Sequence, residues 1–220
     1  GGWYTTGGLS DQYRPLSHYF RQNFSQVTNP PIDSLRENKV MSLRTRFGNL
    51  GNILNFNDLS KENIYVLDSP ILSNSQFEKF KDYFKENYRI IECTFNKEDT
   101  LKVALDRIRS SAEIAAREGI KQIILTDKII DENTLAIPMV LAVGAVNSHL
   151  IQKSLRGFIS LNVQTGDVLD THSYATLLGV GATTINPYLA LDTICQRFEK
   201  NLFGKFEIED CIKRYIKSVE

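Results

Sequence analysis

Residues 99–127, DTLKVALDRIRSSAEIAAREGIKQIILTD, hold the pattern that decides the fold. Asp99 and Thr100 carry the short oxygen-bearing side chains that cap a helix N-terminus. Behind them Leu101, Ala104, Leu105, Ile108, Ala112 and Ala115 recur at helical spacing on one face. Gly119 then supplies the residue type at which helices commonly stop. Three residues later the period changes. Gln122-Ile123-Ile124-Leu125-Thr126-Asp127 is a short apolar run rich in β-branched residues, as a buried strand requires. A long helix feeding a buried strand is half of a β-α-β unit, whose strands lie parallel.

The same alternation extends both ways. Residues 64–67 and 89–95 read as strands ahead of the long helix, and Ser73 caps an intervening helix carrying Phe77, Phe80 and Phe84. Beyond residue 127, Pro138 suits the first turn of a helix that is apolar nearly all round as far as Ile151, and therefore buried. Residues 158–163 read as a fourth strand, 171–178 as a short helix and 182–185 as a fifth strand. Helices over 187–198 and 208–219 close the chain. The expected architecture is α/β, a mostly parallel sheet of about five strands with crossover helices. Five units are too few for a closed eight-fold barrel, so the sheet is open or a partial barrel.

An N-terminal helical arm and connection, residues 1–56, precedes the α/β domain, residues 57–220, and the two together form one structural domain. In the arm, Leu16, Tyr19, Phe20 and Phe24 make a helical stripe over residues 16–24. Leu35, Val40, Met41 and Leu43 make another over 32–46, followed by a turn-rich connection through Gly48, Asn49, Gly51, Asn52 and Asn55. Between the two helices stands Phe24-Ser25-Gln26-Val27-Thr28-Asn29-Pro30-Pro31-Ile32-Asp33. Each proline pushes the residue before it out of the α region, and Asp33 is placed to cap the next helix, ahead of Arg36 and Glu37. The segment reads as a stiff kink that sets the angle between two helices.

Lys+Arg and Asp+Glu number 26 each, so the formal net charge is zero. That balance argues against a nucleic-acid or polyanion binder. No apolar run approaches the roughly 20 residues needed to cross a bilayer, and no signal-peptide pattern opens the chain. The three cysteines, Cys93, Cys195 and Cys211, are widely spaced. They match neither a metal-ligand set nor a disulfide framework. Buried, reduced thiols at Cys93 and Cys195 and a reducing cytoplasm are the expectation.

Candidate chemistry is sparse. A strand ending near Gln164, a turn at Gly166 and Asp167, a helix opening near His172, and Gly179-Val180-Gly181-Ala182 together resemble the late strands of flavin-binding barrels, where backbone N–H groups hold a phosphate. The third glycine and following helix of a dinucleotide fingerprint are missing, and no arginine or lysine stands within the pattern to neutralise phosphate. Gly166, His172, Gly179 and Gly181 are therefore read as a degenerate phosphate site, now structural, with a bound flavin mononucleotide as the alternative. His172 is expected to bond backbone at a helix end, His149 to be a satisfied core residue, and His18 to face solvent. Asp127 ends a strand where barrel enzymes place catalytic carboxylates, but capping of the following loop is the preferred reading. There is no nucleophile elbow and no Ser–His–Asp arrangement, so no residue is assigned a catalytic role.

Several stretches carry a family resemblance. Residues 13–43, containing the Thr28-Asn29-Pro30-Pro31 kink, are similar to the central domain of the glutamate synthase large subunit. So are Ile137-Pro138-Met139-Val140-Leu141-Ala142-Val143-Gly144-Ala145-Val146-Asn147-Ser148-His149-Leu150-Ile151 and Leu178-Gly179-Val180-Gly181-Ala182 with Ile185-Asn186-Pro187-Tyr188-Leu189-Ala190. The resemblance runs in order over about residues 9–198. The opening residues 1–8 fall outside it and look like a cut edge, a divergent start or an added remnant.

The resemblance implies a role in ammonia assimilation and glutamate biosynthesis. Glutamate synthases are oxidoreductases that join a glutamine-hydrolysing domain to a flavin domain, with ammonia carried through an internal tunnel between them. The first needs an N-terminal cysteine, whereas this chain begins with Gly1; the second carries flavin mononucleotide and an iron–sulfur cluster, for which the cysteines here do not suffice. What the resemblance leaves is a non-catalytic connecting domain, inactive alone, binding no cofactor itself. Its partners would be the glutaminase and flavin domains, in the same or separate chains. Thr28, Asn29, Pro30, Pro31, Asp33 and Arg36 are the implied tunnel or interface residues. A flavin-binding α/β enzyme domain and a stand-alone interaction module are the alternatives.

Overall fold

The structure is a computed structural model that describes residues 16–20, 43–47, 65–129, 131–200, 203–204 and 206–220. A 3-10 turn at Leu16–Tyr19 comes first, then strands β1 (Thr45–Phe47) and β2 (Tyr65–Leu67) and helix α1 (Asn74–Phe84). Next are β3 (Tyr88–Glu92), β4 (Thr94–Asn96), α2 (Leu101–Arg117), β5 (Gln122–Thr126), β6 (Thr134–Ala136) and α3 (Met139–Gln152). The chain closes with β7 (Ser160–Gln164), α4 (Thr171–Val180), β8 (Thr184–Asn186), α5 (Tyr188–Glu199) and α6 (Ile208–Val219).

Four strands, in the order β3-β5-β7-β8, form one wholly parallel sheet. Residues 70–72 add a short fifth position beyond β8. Ile71 bridges Ile185 in parallel, Leu72 N–H donates to the Ile185 carbonyl at 2.8 Å, and Ile185 N–H donates to the Pro70 carbonyl at 2.8 Å. The chain thus starts at one edge, crosses to β3 at the other through α1, and returns strand by strand through α2, α3 and α4. The expectation of an open α/β sheet holds.

Alternation along each strand sends neighbouring side chains to opposite faces. Ile91, Ile123, Leu125, Leu161, Val163 and Ile185 go to one face. There they pack with Ala104, Ile108 and Ala112 of α2, Val143, Val146 and Leu150 of α3, and Tyr174 and Leu177 of α4. Ile124 goes to the other and joins Phe77 and Phe80 of α1, Phe47 of β1, and Leu67 and Leu72. Helix α1 and the antiparallel β1-β2 ribbon therefore cover the second face. Around Ile124 that face is polar: Gln122, Thr126, Asn162, Thr184 and Asn186 are all buried. Strands of a parallel sheet covered on both sides are usually continuous apolar runs, so each of these groups needs a partner, and each has one. Among the described residues no buried side-chain nitrogen or oxygen lacks a hydrogen bond.

The helices follow from their sequence. Ser73 opens α1 with a capping box, accepting from Gln76 N–H while the Gln76 side chain accepts from Ser73 N–H. Thr100 caps α2 by accepting from Val103 N–H, and Gly119, at φ 85°, lies just beyond that helix.

Several expectations are corrected. Residues 64–67 do not enter the parallel sheet; Tyr65–Leu67 pairs with β1 instead, and the sheet edge is made by residues 70–72. The single strand over 89–95 breaks at Cys93, after which β4 leaves to pair with β6. Arg107 holds that break by donating to the carbonyls of Glu92 and Thr94. The fourth strand starts at Ser160, after a 3-10 turn at Arg156–Phe158. In the arm, the described part of the first stripe is a 3-10 turn that has ended by Phe20. Residues 43–46 are not helical, because the chain extends there to bury Phe47 under α1.

Phe80 is the centre of that second-face packing. Its ring lies 5.2 Å from Phe47, edge to face, 4.7 Å from Phe84 and 6.3 Å from Phe77. Phe80→Ala is expected to cost about 3–5 kcal/mol, lowering the thermal midpoint by about 10 °C. A calorimetric midpoint unchanged within about 2 °C would show that α1 does not hold this face.

Candidate functional site at the C-terminal edge of the sheet

Ligands of open α/β folds gather outside the C-terminal ends of the strands. Here β5, β7 and β8 deliver Asp127, Thr165-Gly166-Asp167 and Pro187-Tyr188 to that edge. The Asp127 carboxylate is buried and accepts from Thr165 Oγ1 at 2.5 Å, from Gly166 N–H at 3.1 Å, and from the Tyr188 hydroxyl. Burial pushes its pKa up, against the opposing pull of those donors. The Tyr188 hydroxyl is pushed up to about 12, first by burial and then by the Asp127 charge, so it stays an O–H donor at any physiological pH. Lys128 covers the Tyr188 ring, its ammonium 5.7 Å from the centroid. A Cβ on Gly166 would stand 3.2 Å from the Tyr188 oxygen and 3.3 Å from Leu189, so the small residue allows the turn to lie against the start of α5.

Asp127 therefore ties the loop after the neighbouring strand. The loop after its own strand is turned by Thr126, whose Oγ1 accepts from Lys128 N–H at 3.2 Å. This corrects the expectation of a local cap. Asp167 accepts from Met139 N–H at the start of α3, and its carboxyl is raised by burial, with the Asp127 charge adding to it.

A second polar row crosses the covered face of the same edge. Thr126 Oγ1 donates to Gln164 at 3.0 Å, Gln164 Nε2 to Asn186 at 3.3 Å, Asn186 Nδ2 to Asn74 at 2.9 Å, and Asn74 Nδ2 to Asp192 at 3.1 Å. Asn186 Nδ2 also donates to the Leu72 carbonyl at 3.0 Å. Each group is engaged by the next. The arrangement clamps five segments of chain together, and the groups named are spent on one another. Cys93 is fully buried, and burial pushes its thiol up to about 12, which leaves no thiolate for nucleophilic work near neutral pH. Cys195, expected buried, is partly exposed, as is Cys211.

The four glycine and histidine candidates do not assemble. Gly166 and His172 lie near the N-terminal end of α4, Gly179 and Gly181 at its C-terminal end, about 15 Å away for a ten-residue helix. A helix C-terminus presents carbonyls, which repel phosphate. Gly181 is kept for another reason. At φ 123° a Cβ would fall 2.4 Å from the Asn147 side chain, and the Gly181 carbonyl accepts from Arg156 Nη2 at 2.9 Å. Arg156 also donates to Asn147 at 2.7 Å and to the Ile159 carbonyl at 2.5 Å, closing the N-terminal edge of the sheet. These four residues form no common phosphate cradle and do not fit a flavin mononucleotide.

His172 bonds backbone as expected, and across the chain: its Nε2–H donates to the Ser17 and Phe20 carbonyls at 2.8 and 2.9 Å. Asp170, which caps α4 through Ser173 N–H, also meets His18 at 3.3 Å. Together they moor the 3-10 turn. His149 is half-buried and pairs with Glu113 at 2.7 Å. Among the described residues no group of three or more His, Cys, Asp or Glu side chains is placed to hold a metal, and no helix is long and apolar enough to cross a membrane. Thr28, Asn29, Pro30, Pro31, Asp33 and Arg36 lie outside the described residues. Sequence reasoning missed Thr165, Tyr188 and Arg156. The available signal was position alone: Thr165 directly follows β7, Tyr188 opens α5 just beyond β8, and Arg156 opens the 3-10 turn ahead of β7.

Comparison with known proteins follows the same direction as the resemblance. The family described as glutamate synthase central domain matches residues 5–220, so its reach includes residues 5–8 and the last 22 residues, beyond the 9–198 span. The chain is similar to the NADPH glutamate synthase large chain of Azospirillum brasilense, 49% identical over 96% of this chain and 14% of that protein. It is likewise similar to the NADPH glutamate synthase large chain of Bacillus subtilis, 37% identical over 96% of this chain and 14% of the relative. A chloroplastic ferredoxin-dependent glutamate synthase of Spinacia oleracea is 39% identical over 86% of this chain and 12% of its own length. The chain thus spans about a seventh of the first two relatives.

Because the Asp127 carboxyl titrates above its ordinary 3.8 in the folded chain, the fold holds this proton over a range where the unfolded chain has lost it. Its stabilising contribution is full below about pH 4 and is lost as pH rises through the raised value. Asp127→Asn removes that dependence. Thermal midpoints measured from about pH 4 to about pH 7 should show the difference, parent minus variant, falling as pH rises. A level or growing difference contradicts a carboxyl whose burial outweighs its hydrogen-bond donors.

Proposed function

Since the chain belongs to the glutamate synthase central-domain family, we propose that it is the connecting domain of a glutamate synthase large chain. It holds a glutamine-hydrolysing domain and a flavin domain in fixed relation and forms part of the wall along which ammonia passes between them. The observation that carries this reading is a family match over nearly the whole chain, combined with relatives about seven times its length.

The work of such a domain is positional. Ammonia is small, basic and easily lost to water, so the passage needs a rigid wall with few acids able to trap it as ammonium. The geometry at the sheet edge suits that task. Asp127 and Asp167 are each spent on an internal donor, the hydroxyl of Tyr188 is held by Asp127, and the Cys93 thiol is buried and unreactive. Ile129 and Leu169, in loops at this edge, and Leu189, in the first turn of α5, stand out into solvent. In the longer chain we assign them to the contact with the neighbouring domain.

Thr28, Asn29, Pro30, Pro31, Asp33 and Arg36 are the proposed passage or interface residues, with the two prolines fixing backbone shape and Asn29 orienting a small polar molecule. The domain takes no catalytic step and binds no cofactor itself; flavin mononucleotide and the iron–sulfur centre belong to its neighbours, and the assembly works in the cytoplasm.

The test is stoichiometric. In the full-length enzyme, glutamine consumption, glutamate formation and free ammonia are measured together for the parent and for Asn29→Ala and Pro30→Ala. The variants should keep hydrolysing glutamine while ammonia escapes to solution and glutamate yield per glutamine falls. Full coupling in both variants would remove this segment from the passage. Glutamine hydrolysis or stoichiometric flavin binding by the 220-residue chain alone would overturn the non-catalytic reading.

A further inference from the structure

Away from the sheet edge, α2 and α3 leave a groove of about 450 Å³ between them. This size is in the range of small-molecule sites. One end is closed by a satisfied charge cluster. Glu113 accepts from Arg117 at 2.8 Å and from His149 Nε2 at 2.7 Å, with Lys153 at 3.9 Å, and the Arg117 and His149 hydrogen bonds hold its carboxyl below the usual range. At the other end Arg109 Nη1 donates to Asp106 Oδ1 at 2.8 Å. The remaining guanidinium N–H groups of Arg109 and the second oxygen of Asp106 make no hydrogen bond among the described residues. Between the ends Ala145 leaves room, and the side chains of Ser110, Ser148 and Gln152 line the space without a protein partner among those residues.

The geometry points to a binding site for a free α-amino acid with a polar side chain. Arg109 and Asp106 present opposite charges 2.8 Å apart, the complement of an amino acid's adjoining carboxylate and ammonium. The carboxylate takes the open guanidinium donors and the ammonium takes the open Asp106 oxygen. The ligand side chain then runs toward Ser148 and Gln152, which both donate and accept. The same lining disfavours other ligands. A simple anion meets Asp106, a simple cation meets Arg109, and an apolar molecule offers no partner to the three hydroxyl or amide groups. This site is independent of the connecting-domain reading and stands or falls separately from it.

The test is a titration of the isotope-labelled 220-residue chain with L-glutamine and with L-glutamate, followed by NMR. Saturable shifts are expected at Ser110, Ser148, His149 and the Gln152 side-chain amide, with a dissociation constant of about 1 mM or tighter for at least one probe. Arg109→Gln should weaken binding about tenfold or more at an unchanged thermal midpoint, as should blocking the ligand amine in N-acetyl-L-glutamine. Ser148→Ala provides a second, milder variant should Arg109→Gln unfold. No saturation of either probe by about 20 mM, shifts confined to other residues, or equal affinity in the folded variants would overturn the assignment.

Discussion

Asn162 sits fully buried in the middle of β7 and bonds three strands at once. Its Nδ2 donates to Gln122 Oε1 at 3.0 Å and to the Ile123 carbonyl at 3.3 Å on β5, and its Oδ1 accepts from Thr184 Oγ1 at 2.7 Å on β8. A buried amide left without partners costs about 1–3 kcal/mol per orphaned group. A shift of one residue in any of these strands would orphan several and turn the apolar set to the wrong face. The register of the sheet is therefore set by polar bonds on one face and apolar packing on the other. Everything placed at the strand ends depends on that register.

The two edges of the sheet are closed by different means. At the C-terminal edge, Asp127 and the Gln164–Asn186 row bind loops from separate strands to one another and to α5. At the N-terminal edge, the Arg156 guanidinium gathers Asn147, Ile159 and Gly181. Polar side chains that would serve as catalysts elsewhere are consumed as fasteners. A sheet fastened at both ends resists shear, and rigidity of that kind is what the proposed connecting role requires.

The parts legible in the sequence were those set by local rules. The Thr100 cap, the apolar stripe and Gly119 gave α2 its bounds within two residues, and the apolar runs gave β5 and most of β7. The closing helix expected over 208–219 coincides with α6. What escaped were features set by distant partners. The three-residue strands β1, β4 and β6 have too few residues for a periodic signal and exist only because each finds a mate. Gly166 and Gly181 looked like one constellation, since sequence distance does not show that α4 carries the chain from one edge of the sheet to the other. The pairing of Asp127 with Thr165 spans 38 residues and carries no local trace.

Rigidity of the isolated domain is the central claim, and native-state amide hydrogen exchange measures it most directly. For the 220-residue chain by itself, the amides of residues 123–125 and 161–163 should exchange only through global unfolding, with the free energy found by denaturant titration. Exchange of those amides through local openings well below that value would mean that the sheet breathes. The scaffold account would then be contradicted.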